Sequence, residues 1–159
     1  MNVNRQKPHV LVLPEDDANR QLATGFLLDR SVASRSIQVL RAAGGWVKVL
    51  DRFKSDHVRG MDEYPGRFVV LLIDFDGKQN RLGRAKAEIP ARLNDRVFVL
   101  GILTEPEKLR ASLGSYETIG MAMAKDCREG TDAIWGHDLL RHNASELDRL
   151  RERVRPILF

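Results

Sequence analysis

The sequence predicts an α/β protein: a mostly parallel central sheet flanked by helices, followed by a helical C-terminal third. Two observations lead to this fold class. Short, continuous apolar runs alternate with segments of helical spacing up to about residue 104, and only helical spacing follows. Continuous apolar runs are typical of strands buried on both faces, as in a parallel sheet. Strands alternating with helices then favour right-handed crossover connections.

The strands are predicted where Val, Ile, Leu and Phe cluster without a polar alternation. These runs lie at residues 9–13, 36–40, 67–73 and 96–102. Helical spacing of apolar residues predicts three helices among them, at residues 17–29, 45–53 and 78–89. The third of these is polar enough to be a surface helix. Residues 54–66 are polar and contain glycine and proline, which predicts a long loop before the third strand.

After the fourth strand the chain is predicted to be helical. The helices are expected at residues 105–113, 116–127, 132–140 and 145–158. Ser145 is the expected N-cap of the last helix, and Pro156 is expected to kink or end its final turn. We therefore expect one domain, with an α/β core at 9–105 and a helical extension at 106–159.

Composition narrows the class of protein. Of the 159 residues, 43% are hydrophobic and 30% charged, which excludes a disordered or fibrous chain. No apolar run has the length of a membrane span or a signal peptide, and the single cysteine, Cys127, fits a reducing compartment. A cytoplasmic protein with no membrane partner is expected. The formal charge of +4 is compatible with binding to a polyanion.

Acidic residues follow three of the four predicted strands. Glu15 follows the first, Asp74 and Asp76 follow the third, and Glu105 follows the fourth. Ligands of open parallel sheets bind at the carboxyl ends of the strands, and alternation along a strand places Asp74 and Asp76 on the same side. Carboxylates held together repel one another unless a cation neutralises them, and oxygen ligands suit Mg²⁺ or Mn²⁺. The sequence therefore predicts a divalent-cation site at this edge.

Each of these residue types also has a purely structural interpretation. Asp16 and Asp17 stand where acids cap a helix, and Asp74 and Asp76 precede Gly77 as turn formers do. The pair Glu105-Pro106 is typical of a helix start.

After the second predicted strand, Gly44 and Gly45 permit a tight strand-to-helix turn. This structural role is favoured over contact with a phosphate group.

Three segments together resemble the Toprim domain, the metal-dependent module of topoisomerases, primases and the overcoming-lysogeny-defect nucleases. They are VLVLPEDD with Glu15, IQVLRAAGG with Gly44 and Gly45, and VVLLIDFDG with Asp74 and Asp76. The resemblance covers about residues 9–105. It implies hydrolysis of phosphodiester bonds in DNA or RNA with Mg²⁺ or Mn²⁺.

In that interpretation Glu15 is a general acid or base and a metal ligand, and Asp74 and Asp76 are metal ligands. Glu105 and Asn19 are further candidate ligands, Asn19 standing where the nuclease subset has a second acid. The small residue that usually follows the Glu is replaced by Asp16. The resemblance also implies a phage-defence or mobile-element setting and a separate ATPase partner, by family analogy alone. The non-enzymatic alternative under this resemblance is a degenerate Toprim domain that binds its partner without cleaving nucleic acid.

A basic segment directly follows the Asp-x-Asp motif. Lys78, Arg81, Arg84 and Lys86 come before the next acid, Glu88. Because they lie close to the expected site, they are the candidate contacts to a nucleic-acid backbone.

The opening LVLPEDDANRQL also resembles a response-regulator receiver domain. In that alternative, Asp74 would accept a phosphoryl group, Thr104 would be the switch residue and Lys125 would bind the phosphate. Lys125 lies in a helical stretch, however, and the Lys-Pro pair typical of receivers is missing. Asp76 has no receiver role, and residues 54–66 lengthen the interval before Asp74. The Toprim-like interpretation is therefore favoured, with a signalling or interaction module as the alternative.

Overall fold

The computed structural model describes residues 2–78 and 80–159. It confirms the predicted fold class, an α/β protein with an all-parallel sheet. The strands are β1 (His9–Pro14), β2 (Ile37–Val39), β3 (Arg67–Leu72) and β4 (Val97–Leu100). They lie in the order β2-β1-β3-β4, with Val12 aligned to Val39 on one side and to Val70 on the other. This is the beginning of the flavodoxin-like order, in which ligands bind between β1 and β3.

Helices connect the strands and make up the C-terminal part of the chain. The α-helices are α1 (Asp17–Leu27), α2 (Trp46–Arg52), α3 (Val58–Glu63), α4 (Asn80–Ala87), α5 (Pro106–Leu113), α6 (Tyr116–Glu129) and α7 (Ala144–Leu158). A π-helical turn (Phe53–His57) joins α2 to α3, and 3₁₀ turns precede β4 (Ala91–Arg96) and α7 (Arg141–Asn143).

The two faces of the sheet bury separate hydrophobic clusters. Alternate strand residues such as Val12 and Val70 pack beneath α1, α6 and α7, whereas Leu13 and Leu71 pack beneath α2, the π-helical turn, α3 and α4. Helix α1 and the C-terminal helices α6 and α7 therefore cover one face of the sheet together.

Two glycines let α1 and α6 approach closely. A Cβ added to Gly25 would lie 2.3 Å from the carbonyl oxygen of Glu117, and one added to Gly120 would lie 2.1 Å from that of Leu22. Any larger side chain at either position would push the helices apart. The close packing of α6 on α1 therefore depends on both glycines.

The outer edge of β4 is closed by side chains from the start of α7. Asn143 Oδ1 accepts from the Gly101 N–H at 3.0 Å, and Asn143 Nδ2 donates to the Gly101 carbonyl at 2.9 Å. Glu146 Oε1 accepts from the Val99 N–H at 3.2 Å. Unpaired backbone groups on a buried strand edge are costly, so these bonds take the place of a neighbouring strand.

The prediction of a long loop at residues 54–66 is wrong. The chain there stays helical through the π-helical turn and α3. Phe53 and Met61, both fully buried, fix these segments against the sheet. Two buried apolar side chains thus outweigh a polar local sequence.

The helix predicted at 132–140 is also absent from the structure, which has turns there. The Asp126 carboxylate explains this, because it accepts hydrogen bonds from Thr131 Oγ1 (2.6 Å) and from the backbone N–H groups of Ile134 (2.7 Å) and Trp135 (3.2 Å). These bonds hold the segment in a compact turn.

The start of the last helix differs from the prediction, whereas its end at Leu158 agrees with it. The N-cap of α7 is Asn143 and not Ser145, which lies inside the helix, and the helix continues past Pro156 to Leu158. The exposed Pro156 lies in the final turn.

Across the described ranges 2–78 and 80–159, no helix combines the length and the apolar character needed to cross a lipid bilayer.

Asn143→Ala should lower the free energy of unfolding by about 2–3 kcal/mol, because two buried backbone groups of Gly101 lose their partner. Chemical denaturation measures the change. Ser145→Ala, two residues away and exposed, should change it by less than about 0.5 kcal/mol. Equal effects of the two substitutions would contradict the closure of the β4 edge by Asn143.

Candidate active site at the carboxyl edge of the sheet

Three acidic side chains and one amide meet where β1 and β3 end. The Asp74 backbone N–H donates to Glu15 Oε2 at 2.6 Å. Asn19 Nδ2 donates to both Asp16 Oδ1 (2.9 Å) and Asp74 Oδ1 (3.0 Å). The structure thus brings together the predicted site residues Glu15, Asn19 and Asp74, and adds Asp16 to them.

Local sequence explains why these side chains converge. Asp16 caps α1, its Oδ1 accepting from the Asn19 backbone N–H at 2.9 Å, and this fixes Asn19 in the first turn with its side chain buried. Beyond β3 the chain stays extended, since the N–H groups of Ile73 and Phe75 donate to carbonyls that follow β4 or end it. Alternation then places Asp74 on the same face as Leu72, toward α1.

The environment favours a neutral Asp74. Burial raises the pKa of the Asp74 carboxyl to about 8, and the negative charges of Asp16 and Glu15 act in the same direction against the hydrogen bond from Asn19. Burial also raises the pKa of Glu15, opposed by the hydrogen bond from the Asp74 N–H. Two adjacent carboxyl groups with raised pKa values at a strand-end crevice are typical of functional sites.

One buried atom of this group has no partner. Asn19 Oδ1 is inaccessible to solvent and makes no hydrogen bond to any described residue. A buried carbonyl oxygen without a partner, on a side chain whose amide nitrogen bonds to two carboxylates, is a candidate cation ligand. Carboxylate and amide oxygens are the ligands that Mg²⁺ and Mn²⁺ prefer. Within residues 2–78 and 80–159, however, no three acidic, histidine or cysteine side chains are already arranged as a metal site.

The remaining predicted ligands lie apart from this group. Asp76 has a left-handed backbone (φ 53°), is exposed, and places its Oδ2 4.0 Å from Arg81 Nη2. Glu105 is an exposed N-cap residue of α5 whose side chain makes no capping bond. Lys125 is exposed on α6.

The basic residues after the Asp-x-Asp motif differ in their surroundings. Lys78 and Arg84 are exposed, whereas Arg81 is buried and its Nη1 donates to the Asp74 carbonyl at 2.6 Å. Lys86 forms an ion pair with the buried Glu146 at 3.3 Å. Of the four residues expected to contact a nucleic acid, Lys78 and Arg84 are thus the accessible ones.

Sequence reasoning missed the role of Trp46. The guanidinium groups of Arg81 and Arg84 lie 4.6 and 5.1 Å from the centre of its ring, so the indole holds both arginines beside the acidic group. An aromatic residue directly after Gly44-Gly45 was the available signal, but its spacing in α2 suggested only core packing.

Gly44 and Gly45 form a tight turn that is hydrogen-bonded to the backbone of Glu15. Gly44 and Gly45 have φ values of 95° and 148°, and their N–H groups donate to the Glu15 carbonyl at 2.8 and 3.2 Å. This turn brings the start of α2 close to Glu15, where the Trp46 N–H acts to lower the pKa of the Glu15 carboxyl against the larger effect of burial. Because the glycine N–H groups are already bonded, the turn positions Glu15.

Comparison with protein-family models, with curated proteins and with solved structures gives no match to this chain.

Asp74→Asn should become more stable relative to the original protein as the pH rises from about 4 to about 8 in metal-free buffer. The pKa of Asp74 is higher in the folded protein than in the unfolded chain, so between these two values the folded protein holds a proton that the unfolded chain has released. The stability that this proton contributes is lost as the pH rises through that window. Asparagine keeps the bond from Asn19 but has no charge. Chemical denaturation at several pH values measures the difference in unfolding free energy between the two proteins. The buried histidines are present in both, so their contribution cancels in this difference.

Asp76→Asn is the matched control, since Asp76 is exposed and outside the hydrogen-bonded group. Over the same pH range, the stability difference between Asp76→Asn and the original protein should change less than that of Asp74→Asn. A constant difference for Asp74→Asn would contradict the raised pKa of Asp74.

Proposed function

We propose that the carboxyl edge of the sheet binds a divalent cation and that the protein hydrolyses phosphodiester bonds in nucleic acid. The observation that carries the proposal is the convergence of Glu15, Asp16 and Asp74 in one half-buried group, where burial raises the pKa of Asp74 to about 8. Without a cation, the proton on Asp74 compensates part of the negative charge of the group. A bound divalent cation would take over that role.

The cation would be held by Glu15, Asp74 and the unpartnered Oδ1 of Asn19. The Asp16 carboxylate adds negative charge beside this site, because Asn19 Nδ2 bonds to both Asp16 and Asp74. When bound, a divalent cation neutralises charge on a phosphate group and polarises its P–O bonds.

The chain's own residues supply the remaining parts of the reaction. Hydrolysis forms a bond between a water oxygen and phosphorus and breaks one P–O bond, so one proton leaves the water and one reaches the departing oxygen. Glu15 is the group assigned to proton transfer, because burial raises the pKa of its carboxyl towards neutral pH and the Asp74 N–H fixes its position. Lys78 and Arg84 lie exposed beyond the Asp-x-Asp motif, available to the nucleic-acid backbone.

The likeness to Toprim domains supports the same proposal through Glu15 and Asp74. It is also the source of two further proposals, a role in defence against phage or in mobile elements and cooperation with a separate ATPase.

Cleavage of DNA or RNA by the purified protein should require Mg²⁺ or Mn²⁺, should be lost in Asp74→Ala and should fall at least about 100-fold in Glu15→Gln.

The same cations should raise the melting temperature of the original protein, because they bind the folded state, and should not raise that of Asp74→Asn. Gel assays with labelled DNA and RNA, and thermal melting, measure both effects.

Asp17→Asn is the control, since Asp17 is also at the start of α1 but its exposed carboxylate accepts hydrogen bonds from Arg20 and Gln21 at the surface. It should retain cleavage and cation binding. A cation-dependent rise in melting temperature without cleavage would exclude the nuclease and leave the binding module.

A second candidate, a receiver-like phosphate acceptor, is favoured by the strand order. The order β2-β1-β3-β4 is that of receivers without their fifth strand, and the buried Thr104 Oγ1 after β4 has no partner among the described residues. Against it, Asn143 and Glu146 bond to the edge of β4 where a fifth strand would pair. Lys125, the candidate phosphate-binding lysine, lies on α6.

Acetyl phosphate with Mg²⁺ separates the two candidates. In a receiver, the Asp74 carboxylate would attack phosphorus and release acetate, leaving an acid-labile acyl phosphate that intact-mass analysis detects. We expect no such adduct on the original protein. An adduct that is lost in Asp74→Asn and kept in Asp76→Asn would establish the receiver-like function instead.

A further inference from the structure

A polar cavity lies beside strand β2, away from the acidic edge. Its volume is about 400 Å³, and it is bounded by β2, the π-helical turn, α3 and the start of β3. Cavities of this size commonly hold small molecules, and π-helical turns are frequent at functional sites. Neither the cavity nor the turn has a part in the proposed hydrolysis.

A buried arginine lines this cavity without a carboxylate partner. Arg67, the first residue of β3, is 7% exposed, and its Nε donates to His9 Nε2 at 2.9 Å. Its guanidinium also lies 4.8 Å from the centre of the Tyr64 ring. Across residues 2–78 and 80–159, no acid forms an ion pair with Arg67.

His9 does not compensate the charge of Arg67. Its Nδ1 lies 2.9 Å from the Lys7 carbonyl oxygen, which can only accept, so Nδ1 carries the hydrogen and Nε2 accepts from Arg67. This is the neutral tautomer, and burial together with the nearby Arg67 holds the pKa of His9 below its usual value. Arg67 is therefore a buried cation hydrogen-bonded to a neutral ring, an arrangement that is costly unless an anion completes it.

The other charged groups of the cavity leave a positive balance. Arg5, Arg59 and Arg67 line it, with Asp56 and Glu63 as the only carboxylates in its lining. Glu63 forms an ion pair with Arg59 at 3.6 Å, and Asp56 is exposed. The guanidinium of Arg67 thus faces the cavity beside Arg5, with no acid bound to it.

The rest of the lining is apolar or uncharged. Val3, Leu11 and Leu40 form an apolar wall, and the cavity is several times larger than an inorganic phosphate ion. We propose that it binds an organic phosphate monoester, with the phosphate held by Arg67 and the carbon body against this wall. A dianion suits a lining that has Arg67 without a carboxylate partner and the exposed Arg5, and the planar guanidinium of arginine matches phosphate oxygens.

The test is thermal melting and calorimetric titration in chelator, with inorganic phosphate, adenosine monophosphate and adenosine as probes. Inorganic phosphate and the monophosphate should raise the melting temperature of the original protein, the monophosphate at lower concentration, whereas adenosine should have no effect. Arg67→Met should weaken binding of the monophosphate at least about tenfold, because charge-assisted hydrogen bonds are lost.

Arg92→Met is the matched control, because Arg92 pairs with Asp62 of α3 at 2.9 Å and neither residue lines the cavity. It should leave the response to phosphate intact. If Arg67→Met does not fold, Arg67→Lys keeps the charge without the planar fork and should weaken binding in the same direction.

Asp74→Asn separates this cavity from the acidic edge and should bind the probes as the original protein does. The proposal is overturned if phosphate and the monophosphate leave the original protein unchanged, or if they stabilise the Arg67 variants equally.

Discussion

A parallel sheet presents apolar side chains on both faces, and the need to cover both determines where every other element of this protein lies. Helices α2, α3 and α4 cover one face with the help of the π-helical turn, and α1, α6 and α7 cover the other. The second cover works only because Gly25 and Gly120 let α6 lie against α1. Once both layers are in place, the loops that leave the carboxyl ends of β1 and β3 have little freedom, and the acidic residues on them are held together.

Holding these residues together has an electrostatic cost that the protein partly offsets with backbone hydrogen bonds. The N–H of Asp74 donates to the carboxylate of Glu15, and that of Asn19 donates to Asp16. The net effect of burial and neighbouring charge is still to favour the protonated form of Asp74. The acidic edge and the Arg67 cavity thus share one physical property: each buries charge that the described residues compensate incompletely. Sites of this kind trade stability for the capacity to bind a charged ligand.

Much of the fold could be predicted because it depends on local apolar patterns. The four strands are continuous apolar runs, and α1, α2, α5 and α6 were found near their observed bounds. The errors arose where distant side chains decide the local structure. Met61 is buried by the sheet and keeps a polar segment helical, and Asp126 bonds to three groups in residues 131–135 and prevents a helix.

The candidate site was predictable to the same extent. Glu15 and Asp74 could be placed at one edge because strand ends converge in a parallel sheet, whereas Asn19 was a candidate only through the resemblance to Toprim domains. The left-handed backbone of Asp76 and the burial of Arg81 over Trp46 depend on packing that no spacing reveals. Likewise, the cavity around Arg67 is formed by segments far apart in the chain, and one of them had been expected to be a loop.

The contribution of the last helix has a consequence for the order of events during synthesis. Asn143 and Glu146 complete the edge of β4, and the Leu158 carbonyl accepts from the N–H of Ala33 at 2.7 Å, next to the segment that leads into β2. Until α7 has left the ribosome, part of one face of the sheet and the edge of β4 stay uncovered. Exposed apolar faces and unpaired edges are what chaperones bind and what aggregates. The nascent chain therefore passes through an interval of vulnerability that ends only when α7 has packed.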